Sequence, residues 1–532
     1  MKKASRRQSR TLQGVVAIVF GCGACGHMFG AECKRLAQLS LPHISIVSAE
    51  DRHSFDSSDG HQIILPDFCQ VIASASPVPD SQIRIEVWIP ISNWNGQLEG
   101  LGNGGYSSAI NYPGMALALR RGSAVAATDT GHSGDDLKFA DGHPEKIADW
   151  GYRSIHEMTA FAKMVVRAFE GRFPDHSYFN GCSTGGGQAL SEAQRFPADY
   201  DGILAGDPGN DRVNLNAGFL WAYAADHRTP GQQLSTAKGE LLHTAAIRAC
   251  DGKDGVEDGV IDDPRTCHFD PASLTCNAKE RESCLSPAEV ETAQAIYAGP
   301  SYQGKSLYPG YEPGSESLPG LPINGWGTYL AGLDAPKRLD FWKYWAFGDP
   351  SWDWQTFDFN RDLEFANTKL AMVNAVDPDL HEFLARGGKL LLYHGWADPV
   401  VPPRSTIQYV DRVYALAVNQ NASEGVRLFL VPGMGHCAGG YGPLPEDLRP
   451  ATSSGQSSTA STDDPDRSLF QALVRWREQG KAPDKVLAEQ DLPSGKLRTR
   501  PICVYPKIAK WNRRGSSDDA ANFVCASPKV HP

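Results

Sequence analysis

No two apolar runs of bilayer-spanning length occur in the 532 residues, which excludes a multi-pass membrane protein. Positive charge is in short supply: 51 Lys and Arg stand against 62 Asp and Glu, a net charge of −11. A chain of that sign does not steer itself onto nucleic acid or anionic lipid, so neither is an expected partner. Internal repeats are absent, so the length is not made from copies of one unit. It exceeds what a single core usually absorbs, and two lobes or a large insertion are expected. A content of 41% hydrophobic and 21% charged residues argues against long disorder as well. C-x-x-C occurs only at Cys22–Cys25, with no strand–helix context around it. That argues against a redox motif, and the missing spacing elsewhere argues against thiolate zinc. What the sequence does have is cysteine. Twelve are more than a cytosolic enzyme of this size usually carries, so an oxidising compartment is indicated.

The first residues agree with that compartment. MKKASRRQSR is basic, an apolar stretch follows from about Leu12 to Phe20, and small residues come next. This is a signal-peptide layout over residues 1–31, and it predicts export to the periplasm or the medium. The apolar core is too short for a membrane anchor. Three processing routes stay open: cleavage near Ala24-Cys25-Gly26, lipidation of Cys22, or a twin-arginine route through Arg6-Arg7. With Cys22 and Cys25 set aside, an even number of cysteines remains, which fits five disulfides. Sequence neighbours suggest Cys33–Cys69, Cys250–Cys267, Cys276–Cys284 and Cys503–Cys525, leaving Cys182–Cys437. Asn421-Ala422-Ser423 is a glycosylation sequon whose use depends on the host.

Periodicity predicts strands over 83–89 (ending at Pro90), 123–129, 177–180, 203–205, 389–393 and 426–431. Helices are predicted over 153–169, from Gly181 to about Phe196, and over 467–479. Strands alternating with helices predict an α/β fold with a largely parallel sheet. Residues 32–210 and 381–532 carry that pattern. Residues 211–380 do not: they are rich in Trp, Gly, Pro and Asp, and they read as an insertion forming a lid over one end of the sheet. Residues 451–466 are polar and low in complexity, so an exposed loop is expected there.

Gly181-Cys182-Ser183-Thr184-Gly185 is a G-x-S-x-G between a predicted strand and a predicted helix. That context is the one a nucleophile elbow needs, because glycines let strand and helix approach while the serine hydroxyl stands clear. A serine needs a base to react, and in this arrangement the acid and the histidine follow it in chain order. Asp398 lies in the loop after strand 389–393, and His436 in the loop after strand 426–431. Asp398 is the candidate acid and His436 the candidate base. His394 is a rival base, although it precedes the acid. Cys182 precedes the serine and Cys437 follows the histidine, so a disulfide between them would hold both loops together.

These residues carry a resemblance. Cys182-Ser183, Asp398 and His436-Cys437, together with Gly102-Asn103-Gly104-Gly105, Tyr393-His394-Gly395, Ala438-Gly439-Gly440 and Arg500-Pro501-Ile502-Cys503-Val504-Tyr505-Pro506, resemble the tannase and feruloyl esterase family. That family includes the bacterial mono(2-hydroxyethyl) terephthalate hydrolase. The resemblance covers most of the mature chain. It implies an α/β-hydrolase fold with a large lid and an exported serine esterase acting on esters of aromatic acids. Thr184 stands where an acidic residue could follow the nucleophile, which leans toward the feruloyl esterases. Tannase and terephthalate monoester hydrolase remain alternatives, and a calcium-dependent binding protein on a hydrolase scaffold is a rival of another class. The substrate expected is a small aromatic ester of plant cell-wall or polyphenol origin.

Thr184 and Gly105 are the expected oxyanion-hole donors, with Gly104 close behind Gly105. Trp326, Phe341, Trp342 and Trp345 are candidates to stack on the acyl ring. Cys250-Asp251-Gly252-Lys253-Asp254-Gly255-Val256-Glu257-Asp258-Gly259-Val260 is a glycine-punctuated row of hard oxygen donors suited to Ca²⁺, without EF-hand spacing. The resemblance implies ligands at Asp251, Asp254 and Asp258 and at the carbonyls of Val256 and Val260. A structural role is expected for such an ion.

Overall fold

A computed structural model of the chain describes residues 32–56, 62–230, 233–277, 283–318, 321, 323–331, 339–416, 424–449 and 464–528. The expected signal peptide (1–31), the sequon at Asn421 and residues 450–463 of the low-complexity stretch lie outside the described residues.

The strands of the main sheet are β1 (Ile44–Asp56), β2 (Gln62–Ala75), β3 (Ile83–Pro90), β4 (Gln97–Leu101), β5 (Ala124–Thr128), β6 (His176–Cys182), β7 (Gly202–Gly206), β8 (Lys389–Gly395) and β9 (Val426–Val431). Their order across the nine-stranded sheet is β1-β2-β3-β5-β4-β6-β7-β8-β9. The β1-β2-β3-β5 side is antiparallel, and from β5 through β4, β6, β7 and β8 to β9 every pair is parallel. Helices α1 (Tyr112–Arg120), α2 (Ser154–Glu170) and α3 (Thr184–Arg195) connect the central strands. The described residues of 207–388 add no strand to this sheet and contain helices α4 (Arg212–Asp226), α5 (Thr236–Cys250), α6 (Pro287–Ala298) and α7 (Arg361–Lys369). Helices α8 (Pro403–Leu416) and α9 (Leu469–Gln479) follow, then two small antiparallel pairs, β10 (Lys485–Asp491) with β11 (Leu497–Cys503) and β12 (Ile508–Trp511) with β13 (Phe523–Ala526).

Both faces of the parallel part are covered, which is why β5, β7 and β8 read as nearly continuous apolar runs. Side chains alternate across the pleat. Phe179, Ile203, Leu390 and Leu392 pack on one face with Ile155, Leu190 and Val410 of α2, α3 and α8. Tyr178, Leu204, Leu391 and Tyr393 pack on the other with Leu473 and Trp476 of α9. Local signals set the helix ends. Helix α2 stops at Gly171 in the left-handed region (φ 76). Ser286 and Glu289 form a capping box at the start of α6, and Ser468 accepts from the Gln471 N–H at the start of α9. No helix among the described residues is long and apolar enough to cross a membrane.

Candidate active site

Ser183 sits between β6 and α3 with φ 63 and ψ −117, a strained conformation for a residue with a Cβ. The surrounding backbone fixes it there. Its N–H donates to Gly206 O (3.0 Å), and its carbonyl accepts from Gly187 N (3.1 Å) and Gly209 N (2.9 Å). The turn works only with glycine beside it: a Cβ on Gly181 would lie 2.5 Å from Gly185 O, and one on Gly186 would lie 2.3 Å from Gly206 O.

Asp398 is fully buried in the loop after β8. Its Oδ1 accepts from Val400 N (2.7 Å) and Val401 N (3.0 Å), and its Oδ2 accepts from His436 Nδ1 (2.7 Å). Burial alone would raise this carboxyl. The imidazoles of His436 and His394 outweigh it and hold the carboxyl well below the usual carboxylate range. For His436, burial lowers the pKa, but Asp398 more than compensates and the ring ends above its ordinary value, with Asp207 adding to the rise. With Nδ1 facing Asp398, Nε2 is the nitrogen left for proton transfer.

His436 and Ser183 line one cavity of about 600 Å³. The rival base, His394, is buried and outside that lining. Both its nitrogens are engaged, Nδ1 with Thr406 Oγ1 (2.8 Å) and Nε2 with Val401 O (2.9 Å). Cys182 and Cys437 are disulfide-bonded with Cα atoms 5.8 Å apart, across 255 residues of sequence. The other four pairs also form as the sequence suggested: Cys33–Cys69, Cys250–Cys267, Cys276–Cys284 and Cys503–Cys525.

Gly104 and Gly105 line the same cavity, and a Cβ on either would meet nothing within 4 Å. Thr184 Oγ1 donates to Gly105 O (2.6 Å) and accepts from the Arg212 guanidinium (2.8 Å). Asn103 anchors this loop. Its N–H donates to Gln188 Oε1 (3.0 Å), its Nδ2 to Thr128 O (2.8 Å), and its carbonyl accepts from Gly185 N (2.7 Å). The first residue of α3 and the glycine loop are therefore tied together beside Ser183.

The aromatic candidates are corrected by the packing. Trp326, Phe341, Trp342 and Trp345 are at most 2% exposed, and none lines the cavity. Trp345 Nε1 donates to Leu137 O and its ring packs on Tyr106 and Trp150, while Trp326 Nε1 donates to Ser315 Oγ. Clustered aromatics here form buried cores, that of Phe341, Trp342 and Trp345 shared with Tyr106, Leu137 and Trp150 outside the 207–388 segment. The cavity wall is instead made by Leu117, Tyr329, Tyr393, Leu448 and Phe470, together with Arg121. Arg121 is ion-paired with the buried Glu99 and lies 4.8 Å over the Phe470 ring. These residues come from five separate stretches, so no local motif marks them.

Asp207, the residue after β7, was also missed, because Gly206-Asp207-Pro208-Gly209 reads as an ordinary turn. It is fully buried beneath the disulfide. Its Oδ1 accepts from Gly395 N (2.8 Å) and its Oδ2 from Cys437 N (2.9 Å). Burial pushes this carboxyl up to about 6, with His394 and His436 pulling against the rise and Asp398 adding to it.

In the acidic loop, Asp251 accepts from the N–H groups of Asp258 (3.1 Å) and Gly259 (3.0 Å), and Asp254 accepts from Val256 N (2.9 Å). Asp258 accepts from Val260 N (3.2 Å) and pairs with the buried guanidinium of Arg500. Asp254 and Asp262 are neighbours. Burial and the Asp254 charge hold the Asp262 carboxyl far above its ordinary value, and burial likewise raises Asp254.

Against known proteins, the family model described as "Tannase and feruloyl esterase" matches residues 69–526. An uncharacterized esterase of Xanthomonas campestris pv. campestris is 37% identical, over 98% of this chain and 95% of its own length. A probable feruloyl esterase B-1 of Aspergillus fumigatus is 33% identical, over 86% of this chain and 85% of its own. Among solved structures, feruloyl esterase B from Aspergillus oryzae superposes with a TM-score of 0.83 at 28% identity, covering 93% of this chain and 99% of that one. The tannin acyl hydrolase from Aspergillus niger shares the fold, with a TM-score of 0.73 at 22% identity and 92% of each chain covered.

Proposed function

The chain belongs to the tannase and feruloyl esterase family and is a carboxylic ester hydrolase, and from that premise we propose that it is an exported serine esterase that releases hydroxycinnamic-type aromatic acids through an acyl-enzyme. The observation that carries the mechanism is the Asp398–His436 hydrogen bond of 2.7 Å opening on the same cavity as Ser183. Ser183 Oγ attacks the ester carbonyl while His436 Nε2 takes its proton. Asp398 stabilises the imidazolium and keeps the ring oriented. The oxyanion of the tetrahedral intermediate is received by the N–H groups of Thr184 and Gly105. Collapse breaks the C–O bond, and the leaving alkoxide takes the proton back from His436. Water then repeats the sequence on the acyl-enzyme, with His436 as base, and frees the acid and Ser183.

The feruloyl reading over the galloyl one is supported by relatives at about a third identity whose names specify feruloyl esterase B. Export is supported by the basic-then-apolar leader and by five disulfides, which persist in oxidising compartments. The acidic loop would hold one Ca²⁺ through Asp251, Asp254, Asp258 and the carbonyls of Val256 and Val260. The donors are all hard oxygens, and the neighbouring Asp254 and Asp262 carboxyls need a proton or a cation between them. Such an ion supplies rigidity to the loop, and no step of the ester chemistry passes through it.

A fluorophosphonate probe should label Ser183, and Ser183→Ala should lose both the label and hydrolysis while remaining folded. Activity of that variant within about tenfold of the parent would overturn the nucleophile assignment. A panel of methyl ferulate, methyl gallate, chlorogenate and the terephthalate monoester should rank a hydroxycinnamate first. Preference for the gallate or the terephthalate would move the chain to the corresponding alternative.

A further inference from the structure

Three loops meet beneath the Cys182–Cys437 disulfide: the turn carrying Ser183, the loop after β8 carrying Asp398, and the loop after β9 carrying His436. Asp207 is the point at which they are joined. Its own N–H donates to Tyr393 O (2.9 Å) in β8. Its carboxylate takes the N–H of Gly395, three residues before Asp398, and the N–H of Cys437, the residue after His436. Its Oδ2 also lies 3.4 Å from Cys182 Sγ, beside the nucleophile. Both flanks of Asp207 hold Ser183, since Gly206 O accepts its N–H and Gly209 N donates to its carbonyl. Backbone strain concentrates at the same place. Ser183 (φ 63), Asp207 (φ 36) and Cys437 (φ 68) are all non-glycine residues in the left-handed region. Such conformations persist only where the surroundings over-determine them, and a carboxylate bonded to two backbone N–H groups does so here.

The charge matters as well as the bonds. Asp207 Oδ1 lies 3.5 Å from His394 Nε2, and the same nitrogen lies 3.3 Å from Asp398 Oδ2. Two buried carboxylates therefore face two buried imidazoles, His394 and His436. Thr406 holds the far side of His394 through its hydroxyl. The phenols of Tyr393 in β8 and of Tyr308 and Tyr311 in the insertion complete the titratable surroundings, and all three are pushed up and stay neutral. Asp207 is an acceptor-only group on both oxygens, so a neutral isostere cannot replace it without turning an N–H donor against another N–H.

We propose that Asp207 is a positioning residue of this esterase site: it clamps the acid and histidine loops to each other beneath the nucleophile, and with His394 it sets the charge felt by His436. This rests on the Ser183–His436–Asp398 reading above. The sign of the electrostatic part is fixed by the arrangement. The carboxylate of Asp207 favours the His436 imidazolium, and a cationic His394 opposes it. The acid limb of the kcat/KM profile reports protonation of this coupled cluster in the free enzyme.

Two variants test the proposal in the full-length protein, with methyl ferulate as substrate. In Asp207→Asn the acid limb should move to lower pH by roughly half a unit or more. In the same variant kcat should fall about tenfold or more while KM stays within about threefold. In His394→Gln the acid limb should move the other way, to higher pH. A peptide map without reduction should still find the Cys182–Cys437 link in both. A role in packing alone would lower the melting temperature without opposite pH shifts. Acid limbs that stay put, or that move in the same direction in both variants, would therefore overturn the proposal. If Asp207→Asn does not accumulate as folded protein, His394→Gln decides alone: an upward shift supports the proposal and no shift refutes it. Ser183→Ala is assayed in parallel, so failure of the nucleophile reading shows as activity in that variant and is not mistaken for failure of the Asp207 assignment.

Discussion

Ser183 can hold its strained backbone because the residues around it have no side chains to give up. Gly186 shows how little room there is. A methyl group there would meet Gly206 O at 2.3 Å and Pro208 Cα at 2.8 Å, and both are backbone of the strand end that holds Ser183. Gly186→Ala should therefore destabilise the fold by roughly 1–3 kcal/mol, as overpacking does, and reduce kcat further by displacing the serine. Gly327→Ala is the control, since its methyl meets nothing within 4 Å in a short helical turn. It should leave melting and activity nearly unchanged. Thermal melts and initial rates on the two variants check this. If Gly186→Ala matched the control, the close-packing account of the elbow would be wrong. At this scale the sequence was legible where a residue type has few other uses. A serine between glycines at a strand–helix junction, and an acid and a histidine at later strand ends, are such cases. It was not legible where one residue serves two purposes equally well. A Trp-rich stretch marks a buried interior as readily as a substrate wall, and Trp342 and Trp345 proved to be interior. Asp207 was hidden because a Gly-Asp-Pro-Gly run looks like a turn, and only its partners Gly395 and Cys437, far along the chain, reveal its use.

Among the elements, strands β3 and β5 to β9 and helices α2, α3 and α9 fall close to where apolar periodicity predicts them. Their burial is set by neighbours on both faces, so the pattern survives in the local sequence. The hairpin of β1 and β2 left no such pattern. It lies at the antiparallel edge and the outer part of β2 is largely exposed, so there cross-strand pairing makes the strand, while its inner part is buried through small residues such as Ala73 and Ala75 that give a weak apolar signal. Strand β4 was hidden for another reason. It carries Glu99 fully buried in a central position, a choice that makes sense only with Arg121 paired to it. The disulfides give the prediction at this scale. Cys182–Cys437 closes 255 residues and Cys503–Cys525 closes 22. Chain-entropy arguments credit the two with roughly 5 and roughly 3 kcal/mol. The difference in function should be larger than the difference in stability, because only the first joins the loops of Ser183 and His436. Replacing Cys182 and Cys437 by Ala should lower kcat about tenfold or more, whereas replacing Cys503 and Cys525 should leave the activity of the folded fraction within about twofold. Equal losses of kcat per folded molecule, measured after active-site titration, would mean that the bond contributes stability alone.

Over the whole molecule, proton binding and cation binding should act in opposite directions along the pH axis. Glu192 is fully buried beside Asp199, and burial first, then the Asp199 charge, hold its carboxyl far above the ordinary range. Burial also raises Asp447, and Asp207 is pushed up to about 6. For such groups the folded state keeps protons that the unfolded chain releases near pH 4, so their contribution is present below the unfolded pKa and is lost as pH rises through the folded one. Asp398 runs the other way: its contribution is intact above the ordinary carboxylate range and disappears only in strong acid. Melting temperature measured in EDTA should therefore decline from about pH 4.5 to about pH 7.5. Glu192→Gln should flatten that decline, raising the melting temperature at the neutral end by roughly 2 °C. Calcium should counter the same decline. The carboxylates proposed as ligands in the 251–260 loop would have to be ionised to bind, so the ion should stabilise more at neutral than at acid pH. At about a hundred times its dissociation constant a ligand of the folded state alone adds about 2.7 kcal/mol. Added Ca²⁺ should accordingly raise the melting temperature at about pH 7.5, do so less at about pH 5, and do nothing to Asp254→Ala at either. Hydrolysis by the folded protein should continue in EDTA, because in the proposed mechanism His436 moves the protons, Asp398 only stabilises its imidazolium, and no step needs a metal. Identical melting with and without Ca²⁺ at neutral pH would reduce the loop to an acidic turn held by Arg500. Loss of activity on chelation with no change in melting would instead require the ion to act in the chemistry.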